Sequence, residues 1–306
     1  MQKQDKKLTS SVIICTKDRE KDLLECVDSI IAQTILPEEL IIVDAGKENE
    51  INTKLEEKLK KTPLQLKYIQ TQPGLTRQRN IGVKNSSRDI IFFFDDDVVL
   101  DKDYIKNILE IYNSNTETNV NLGGVSGKML NFNKPPNLLI KIFRKIFFLS
   151  PNGMLPPGFF DHTLSPHKRS KVRIFSGCNM SYRREVLENF KFDENLKGYS
   201  FMEDVDLSFR VSQRYTLIQS SDATLVHKFA PTSHDRLRKR VEMEVVNTSY
   251  LFKKNMPKSF KNYVLFTWSR LGVFLWMLFM CLRKRNSGWV AGFIQGLKVK
   301  KSYAKN

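Results

Sequence analysis

The chain contains three consecutive aspartates, Asp95 to Asp97, directly after three phenylalanines. The preceding run from Ile90 to Phe94 is typical of a buried strand that ends at these carboxylates. Three adjacent anions repel one another, but a divalent cation offsets the repulsion because hard cations such as Mg2+ prefer carboxylate oxygens. The pattern therefore indicates a metal site at the end of a strand, with a solvated acidic turn as the alternative.

Further apolar runs before the aspartates alternate between strand-like and helix-like patterns. This alternation predicts a sheet with parallel strands and helices on both faces, whose strands end at one ligand-binding edge. The glycine-rich segment 123–127 is expected to be a flexible turn or a short strand. The predicted strands are 12–15, 40–43, 66–69 and 89–94, and the predicted helices are 23–33, 48–61 and 76–84.

Polar residues follow the first two predicted strands. Thr16 and Asp18 come after the first strand, and they could contact a nucleotide base or cap the next helix. Asp44 follows the second strand, where a turn aspartate preceding Gly46 is the simpler interpretation. All three side chains are expected at the carboxyl edge of the sheet.

Two later clusters also carry suitable chemistry. In the segment 74–82, two arginines and Asn80 could bind a diphosphate, because a guanidinium donates paired hydrogen bonds, or could form a solvated face. Glu203 and Asp204 begin an amphipathic helix after a glycine-bearing loop. Carboxylates there can stabilise the helix dipole or act as a general base on a hydroxyl. Asp206 should point away from them and serve structure.

The formal net charge of +17 is unevenly distributed. Segment 234–306 carries +13 and segment 134–173 carries +7, so the remainder is slightly acidic. Basic appendages of this kind suit anionic lipid or nucleic acid. The four cysteines lie far apart without a CxxC pair, which argues against a zinc knuckle and gives no sign of an oxidising compartment. No signal peptide is recognisable, so a cytosolic protein is expected.

Two basic, apolar segments favour contact with a membrane surface. Residues 138–148 combine cations with aromatic and aliphatic side chains, and an insertion packed on the body is the alternative. Residues 263–282 are interrupted by Arg270, so the charge-free run is shorter than the roughly 20 residues that a span requires. We expect this segment to lie in the interface, with a true span or a buried packing helix as alternatives.

The order of motifs resembles glycosyltransferase family 2, whose members are inverting sugar transferases with a GT-A fold. The resemblance covers about 11–231, and the ordered motifs are Ser-Val-Ile-Ile at 11–14, Ile-Val-Asp at 42–44, Arg-Gln-Arg-Asn-Ile-Gly at 77–82, Asp-Asp-Asp at 95–97, Phe-Ser-Gly-Cys-Asn-Met-Ser-Tyr-Arg-Arg at 175–184 and Glu-Asp at 203–204. It implies an α/β fold with a mixed, mostly parallel sheet flanked by helices. The expected domains are a catalytic domain at 1–233, with the basic insertion at 134–173, and a basic helical extension at 234–306.

The resemblance also implies roles for individual residues on the donor side. Thr16, Asp18 and Asp44 would hold the base of a nucleoside diphosphate sugar, and Arg77 would approach its diphosphate. Asp97 would ligate Mg2+ or Mn2+, and Asp95 would lie near the ribose or the metal as part of both sets. His227 would ligate the metal or donate to a phosphate. Arg19, Asn80 and Asp96 complete the expected nucleotide-sugar-binding set.

On the acceptor side, the resemblance makes Asp204 the catalytic base and gives Glu203 an orienting role. Gly177, Cys178 and Asn179 would form the acceptor loop. The expected activity moves a sugar to a hydroxyl of a growing, lipid-linked glycan in cell-surface polysaccharide synthesis. The enzyme would sit peripherally on the cytoplasmic side of the cell membrane, bound to its anionic surface.

Two other functions compete with this prediction. A sugar-nucleotide-forming nucleotidyltransferase would use a glycine-rich turn after the first strand, but residues 15–19 contain no glycine. A basic binding protein or inactive scaffold would explain the charge alone. Nucleic acid is not an expected partner, because the carboxylate clusters would repel phosphate.

Overall fold

The apolar runs of the sequence form the strands of one sheet in the computed structural model, which describes residues 8–47, 50–114, 121–131, 137–149, 168–196, 200–229 and 234–303. The chain divides into two compact units. Unit 1 comprises Met1–Asn133 and Leu164–Phe229, and unit 2 comprises Lys134–Thr163 and Ala230–Asn306.

The strands, all in unit 1, are β1 (Ser10–Thr16), β2 (Glu39–Asp44), β3 (Gln65–Gln70), β4 (Ile90–Asp95), β5 (Val98–Leu100), β6 (Leu122–Met129), β7 (Ser170–Val172), β8 (Asn179–Arg183) and β9 (Thr216–His227). The helices of unit 1 are α1 (Glu20–Ile31), α2 (Ile51–Leu59), α3 (Leu75–Asn85), α4 (Tyr104–Ser114), α6 (Arg184–Asn189) and α7 (Glu203–Ser212). Unit 2 contains α5 (Leu138–Ile146), α8 (His234–Asn255), α9 (Phe260–Lys284) and α10 (Gly288–Tyr303).

The sheet is mixed, in the order β3-β2-β1-β4-β8-β6-β9-β5, with β7 beside β9. The first four strands in this order pair in parallel, as the βα alternation predicts. Strands β8, β5 and β7 introduce antiparallel pairs, whereas β6 and β9 pair in parallel. Strand β8 runs antiparallel to β4, so the second half of the sheet begins beside the strand that ends in the acidic run.

Helices cover both faces of the sheet, because successive side chains of each buried strand point to opposite sides. Val12 and Ile14 of β1 belong to a core cluster that includes residues of α1, α2 and α4. Ile13 belongs to a second cluster that includes residues of α6 and α7. Residues 11–14 are at most 1% exposed, which explains their nearly continuous apolar character.

The segment 123–127 is part of β6, which is the short strand of the two alternatives that the sequence left open, and its pairing with β9 contains two register shifts. Its glycines serve close packing. A Cβ atom at Gly124 would lie 2.8 Å from the ring of Phe175 and 2.9 Å from the carbonyl oxygen of Ser181. A Cβ atom at Gly127 would lie 2.4 Å from the carbonyl oxygen of Ala223. Glycine is therefore needed at these positions of β6 because neighbouring atoms leave no room for a side chain.

The elements described in unit 2 are all helices, and they share an apolar core of their own. Phe147, just after α5, packs against α9 so closely that a Cβ atom at Gly272 would lie 2.4 Å from its side chain. The core side chains come from α8, α9 and α10, and they are Val241, Val245, Phe252, Phe266, Val273, Met277 and Phe293. By length and composition, α9 would suffice to cross a membrane.

Candidate active site

The polar residues that follow β1, β2 and β4 lie at one edge of the sheet, because these strands are parallel neighbours. In the strand register, Thr16 is opposite Asp44 and Cys15 is opposite Asp95. The edge is therefore built from residues that are about 30 and 80 positions apart in sequence, as expected for the carboxyl ends of an open α/β sheet.

Three residues at this edge could hold a metal ion, and we call them the metal-ligating group. They are Asp95, Asp97 and His227, which each offer one ligand atom, and these atoms all lie within 4.8 Å of one another. Strand β9 pairs with β5 so that His227 is opposite Val98, which brings the imidazole beside the acidic run. Its Nε2 lies 2.8 Å from Asp97 Oδ1 and 4.0 Å from Asp95 Oδ2.

The chemistry of this donor set fits a divalent cation. Two carboxylates and an imidazole suit a cation between hard and borderline, such as Mn2+ or Mg2+. Burial lowers the pKa of His227, but its hydrogen bond to Asp97 and the nearby carboxylates outweigh this effect and raise it. Burial likewise raises the pKa of Asp97, and His227 and Arg19 outweigh it, so that the net shift is downward. Asp97 is thus held as an anion.

Asp96 does not belong to this group and instead contacts residues at the end of β1. Its Oδ2 accepts a 2.7 Å hydrogen bond from the Thr16 hydroxyl, and its Oδ1 lies 2.8 Å from Arg19 Nη1. The second nitrogen of Arg19 donates to Asp97 Oδ2 at 2.9 Å. Burial raises the pKa of Asp96 to about 7, despite the opposing hydrogen bond and guanidinium. Thr16 and Arg19 therefore fix the acidic run.

A second buried cluster centres on Arg79. Its Nη1 lies 2.5 Å from Glu203 Oε1, and its Nη2 lies 2.9 Å from the Gly177 carbonyl and 3.3 Å from Asp95 Oδ1. Arg79 is 2% exposed and Glu203 is 5% exposed. Burial raises the pKa of Glu203 to about 8, the charge of Asp204 adds to the rise, and Arg79 opposes it. One guanidinium therefore connects the acidic run to α7.

Asp204 is half-buried at the start of α7 and is held by backbone amides. The Gly177 N–H donates to its Oδ2 at 2.7 Å, and the Val205 N–H donates to its Oδ1 at 2.8 Å. Met202, directly before the helix, has a φ of 79°, a conformation that costs a non-glycine residue free energy and is concentrated at functional sites. The carboxylate is thus fixed, with part of its surface open to solvent.

The predicted base-binding residues lie together at the ends of β1 and β2. Asp44 is 2% exposed and accepts hydrogen bonds from the Gly46 N–H at 2.6 Å and from the Tyr68 hydroxyl at 2.6 Å. Asp18 is exposed, has a φ of 53° and accepts from the Lys47 N–H at 3.0 Å. A Cβ atom at Gly46 would clash with both aspartates at about 2.9–3.0 Å.

Four predicted site residues lie outside the clusters described above. Arg77 is exposed on α3. The Asn80 amide donates to the Phe192 carbonyl at 3.0 Å and accepts from the Phe192 N–H at 3.0 Å, so it holds the segment after α6. Cys178 is buried. Asn179 is also buried, and its oxygen accepts from the Gly127 N–H at 2.9 Å and from the Tyr104 hydroxyl.

Arg79 and Gln78 are site residues that the sequence interpretation did not single out. Gln78 is 5% exposed and donates to the carbonyl oxygens of Thr16 at 3.1 Å and Val43 at 2.8 Å, which ties β1 to β2. Helical spacing was an available signal for Arg79, because it lies three residues from both Thr76 and Gly82 on the buried face of α3. Arg77 lies on the opposite side.

Comparison with known protein families identifies the chain. The family described as "Glycosyl transferase family 2" matches residues 11–190. The chain belongs to this family. As a family 2 glycosyltransferase it is an enzyme, so neither a nucleotidyltransferase nor an inactive basic scaffold is favoured.

Similar proteins agree with this assignment. A relative from Haloferax volcanii, named glucosyl-dolichyl phosphate glucuronosyltransferase, is 26% identical over 241 residues, which are 76% of this chain and 71% of the relative. The Pyrobaculum calidifontis mannosyltransferase PcManGT, solved with GDP-Man and Mn2+, superposes with a TM-score of 0.61 at 15% identity and covers 98% of this chain and 89% of its own. GalNAc-T7, solved with UDP, GalNAc and Mn2+, has a TM-score of 0.55 at 15% identity. The similarity covers 78% of this chain and 48% of the GalNAc-T7 chain.

The two structural similarities confirm the GT-A fold of this family 2 enzyme. The predicted divalent-cation cofactor is also confirmed, since the family assignment coincides with a carboxylate and imidazole set at the expected edge of the sheet. The enzyme is a metal-dependent glycosyltransferase.

Proposed function

We propose that this glycosyltransferase moves a sugar from a nucleoside diphosphate sugar to a hydroxyl of a growing, lipid-linked glycan. The observation that carries the proposal is a continuous set of contacts from Asp97 to Asp204. It runs from Asp97 through His227 to Asp95, then through Arg79 and Gly177 to Asp204. Donor-binding and proton-accepting groups are thereby held in one arrangement.

On the donor side, Thr16, Asp18 and Asp44 bind the nucleoside. The metal-ligating group begins at the end of β4, which is the strand next to β1. A divalent cation bound by Asp95, Asp97 and His227 supplies positive charge that offsets the negative charge developing on the leaving diphosphate. Arg19 keeps Asp97 ionised and in place for this purpose, through its 2.9 Å hydrogen bond.

On the acceptor side, Asp204 accepts the proton of the attacking hydroxyl. The oxygen forms a bond to the anomeric carbon while the bond to the diphosphate breaks, and the proton passes to the carboxylate. Attack opposite to the leaving group inverts the configuration at that carbon. The Gly177 and Val205 amides fix the carboxylate, so little reorganisation is needed during the step. Glu203 acts as a positioning residue through Arg79.

A lipid-linked acceptor is supported by the name of the Haloferax relative and by the long apolar helix α9. We further propose a peripheral location on the cytoplasmic face of the cell membrane and a role in cell-surface polysaccharide assembly. The domain that performs the reaction is proposed to be residues 1–233, with 234–306 as a membrane-interacting extension.

The proposal is tested by incubating the full chain with a panel of nucleoside diphosphate sugars and Mn2+, with a polyprenyl-phosphate-linked glycan or a free oligosaccharide as acceptor. We expect one donor to be consumed, with product of inverted anomeric configuration and a preference for the lipid-linked acceptor. Retained configuration would contradict the mechanism, and preferential transfer to the free oligosaccharide would contradict the lipid-linked acceptor.

A further inference from the structure

The outer face of α9 has an unusual polarity, because its exposed side chains carry no charge along 262–282. Arg270 is the one charged residue in this range, and it is 9% exposed. Eight of the nine exposed residues are large and apolar or aromatic, at 37–72% exposure, and the ninth is Thr267. These eight are Tyr263, Val264, Trp268, Leu271, Leu275, Leu278, Phe279 and Leu282.

The polar groups of α9 point inward instead. Arg270 Nη2 donates to the Val245 carbonyl at 3.0 Å and to the Ser249 hydroxyl at 2.6 Å, both on α8. The Ser269 hydroxyl donates to the Phe147 carbonyl at 2.6 Å. A helix in water shows the opposite arrangement, with charges outside and apolar residues inside. Ionisable residues that face the interior of a helical body, with apolar residues outside, are characteristic of contact with hydrocarbon.

The exposed apolar residues form one continuous stripe. Val264, Leu271, Leu275, Leu278 and Leu282 follow helical spacing, so they lie on the same face of α9. The stripe is about 27 Å long at a rise of 1.5 Å per residue. A contiguous apolar surface of this length marks an interaction site.

Helix α5 widens this surface within unit 2. It contacts α9 through Phe147, whose ring stacks on Trp268 at 5.1 Å, and the Trp268 indole donates to the Ile146 carbonyl at 2.9 Å. Other apolar side chains of α5 are 47–76% exposed, and they are Leu138, Leu139, Ile142 and Ile146.

Cations lie at both ends of the stripe. Lys258 and Lys261 precede it, and Arg283 and Lys284 follow it, all exposed. Helix α5 adds the exposed Lys141 and Lys145. An apolar face bordered by lysine and arginine complements a surface of anionic lipid headgroups over acyl chains.

The opposite face of α9 argues for an orientation in the plane of the membrane. Helix α8 packs along it through Val245 and Phe252, and the other end of α8 carries Arg238, Arg240 and Glu242. A membrane-spanning α9 would carry these charges into hydrocarbon, at high cost. An in-plane α9 leaves them in water.

We propose that the exposed faces of α5 and α9 form a docking surface that lies in the plane of an anionic lipid bilayer. The docking surface rests on the structure of unit 2. Its use to bring the enzyme to a lipid-linked acceptor rests on the proposed function.

The docking surface is tested by flotation of the full chain with vesicles of phosphatidylcholine alone or mixed equally with phosphatidylglycerol. We expect binding to the mixed vesicles, and the double variant Leu275→Ser/Leu278→Ser should lower the partition coefficient at least tenfold. Leu130→Ser, at an exposed leucine of unit 1, is the matched control and should change it less than twofold. Equal flotation of the double variant and the native chain would overturn the proposal.

A charge variant gives independent evidence. Arg283→Gln/Lys284→Gln keeps the apolar stripe and should remove most of the preference for phosphatidylglycerol, by about tenfold. Added salt should also weaken the binding of the native chain to the mixed vesicles, because it screens the exposed cations. If the native chain shows no preference for anionic vesicles, the role of the flanking cations is wrong.

Tryptophan depth distinguishes an in-plane helix from a span. All three tryptophans lie in unit 2, so variants that retain only Trp268 or only Trp276 report on α9. These residues are about 12 Å apart along the helix axis. Brominated lipids should quench both from the same shallow depth. Clearly different depths would indicate a span, and vesicle-independent dimerisation through this face would indicate a second copy as its partner; either result overturns the proposal.

These outcomes are separable from failure of the proposed function. Vesicle binding is measured without donor or acceptor, and transfer to a free oligosaccharide is measured without vesicles. A chain that transfers sugar but does not float contradicts the docking surface and the proposed membrane location, and leaves the proposed sugar transfer standing.

Discussion

Arg79 and Glu203, 124 residues apart in sequence, form a 2.5 Å ion pair that joins α3 to the first residue of α7. The same guanidinium reaches the Gly177 carbonyl and Asp95. The pair therefore connects Asp95, a member of the metal-ligating group, with the helix whose second residue is the proposed base, Asp204. Its energetics and its effect on catalysis can be tested separately.

At pH 9, above the pKa of Glu203, replacing Arg79 with Met should destabilise unit 1 by about 3–5 kcal/mol, because the Glu203 carboxylate would be left buried without its partner. The double variant Arg79→Met/Glu203→Gln should recover much of this loss, since the uncompensated charge is gone. Urea denaturation of the native chain, the two single variants Arg79→Met and Glu203→Gln, and the double variant measures the coupling. Additive effects in the double variant would mean that the pair does not interact energetically.

Arg79→Lys keeps the charge but not the fork of donors that reaches three acceptors at once. We expect a loss in kcat of at least tenfold with a smaller change in donor affinity, because the lysine cannot hold Glu203, Asp95 and Gly177 together. Lys84→Arg, on the same helix, is the control. An unchanged kcat would show that Arg79 has only a structural role.

Asp204→Asn should lower the transfer rate by roughly 10²–10⁴ while donor affinity stays within about twofold of the native value, because a general base contributes about this much. Its amide can no longer accept the hydroxyl proton. Donor affinity is measured by calorimetry and transfer by product formation. Asp222→Asn, an exposed aspartate, should leave both unchanged. Native transfer by Asp204→Asn would exclude Asp204 as the base.

Asp97→Asn should weaken Mn2+ binding by at least tenfold, since the variant loses an anionic ligand beside His227. Titration of the free Mn2+ signal by electron paramagnetic resonance measures this without any turnover. The matched control is Asp28→Asn, an aspartate with a 58% exposed side chain on α1. Native Mn2+ affinity in Asp97→Asn would place the metal elsewhere.

Glu39 should make unit 1 sensitive to acid. Burial raises its pKa, but hydrogen bonds from Ser87, Ser11 and Lys67 outweigh this effect and lower the pKa from 4.5 to about 2. The carboxylate thus stabilises the fold above pH 4.5, and this contribution is lost as the pH falls toward 2. At neutral pH, Glu39→Gln should cost about 2–3 kcal/mol in the free energy of unfolding.

The measurement for Glu39 is denaturant unfolding of native and variant chains across this pH range. The stability difference between them should close as the pH falls. Glu57→Gln, at an exposed position of α2, should show no such difference. A constant difference at every pH would contradict the depressed pKa.

The sequence predicted the first half of the sheet well, because β1, β2 and β4 are buried on both faces and read as continuous apolar runs. The edge residues followed from this, since every parallel strand delivers its carboxyl end to the same side. For β6 the sequence left a short strand and a flexible turn as alternatives, because Gly124 and Gly127 fill crowded positions there and weaken the strand signal.

Helical spacing indicates that Arg79 lies on the buried face of α3, but its partners could not be predicted from local pattern. Its partners are contributed by β4, α7 and the turn at Gly177, and only the folded sheet brings them together. His227 was expected near the metal through the family resemblance, and the β5–β9 register provides the physical reason. Helix α8 was likewise not predicted, because its sequence is mostly polar. Its buried face is defined only by the packing of its apolar residues with those of α9.

Gly177 uses both of its backbone groups, with its N–H on Asp204 and its carbonyl on Arg79. A Cβ atom there would lie 2.9 Å from Glu203 Oε1 and 3.0 Å from Arg79 Nη2. Any rearrangement of this turn would remove one hydrogen bond from the proton acceptor and one from the guanidinium in a single event. A single residue therefore couples the two halves of the reaction centre.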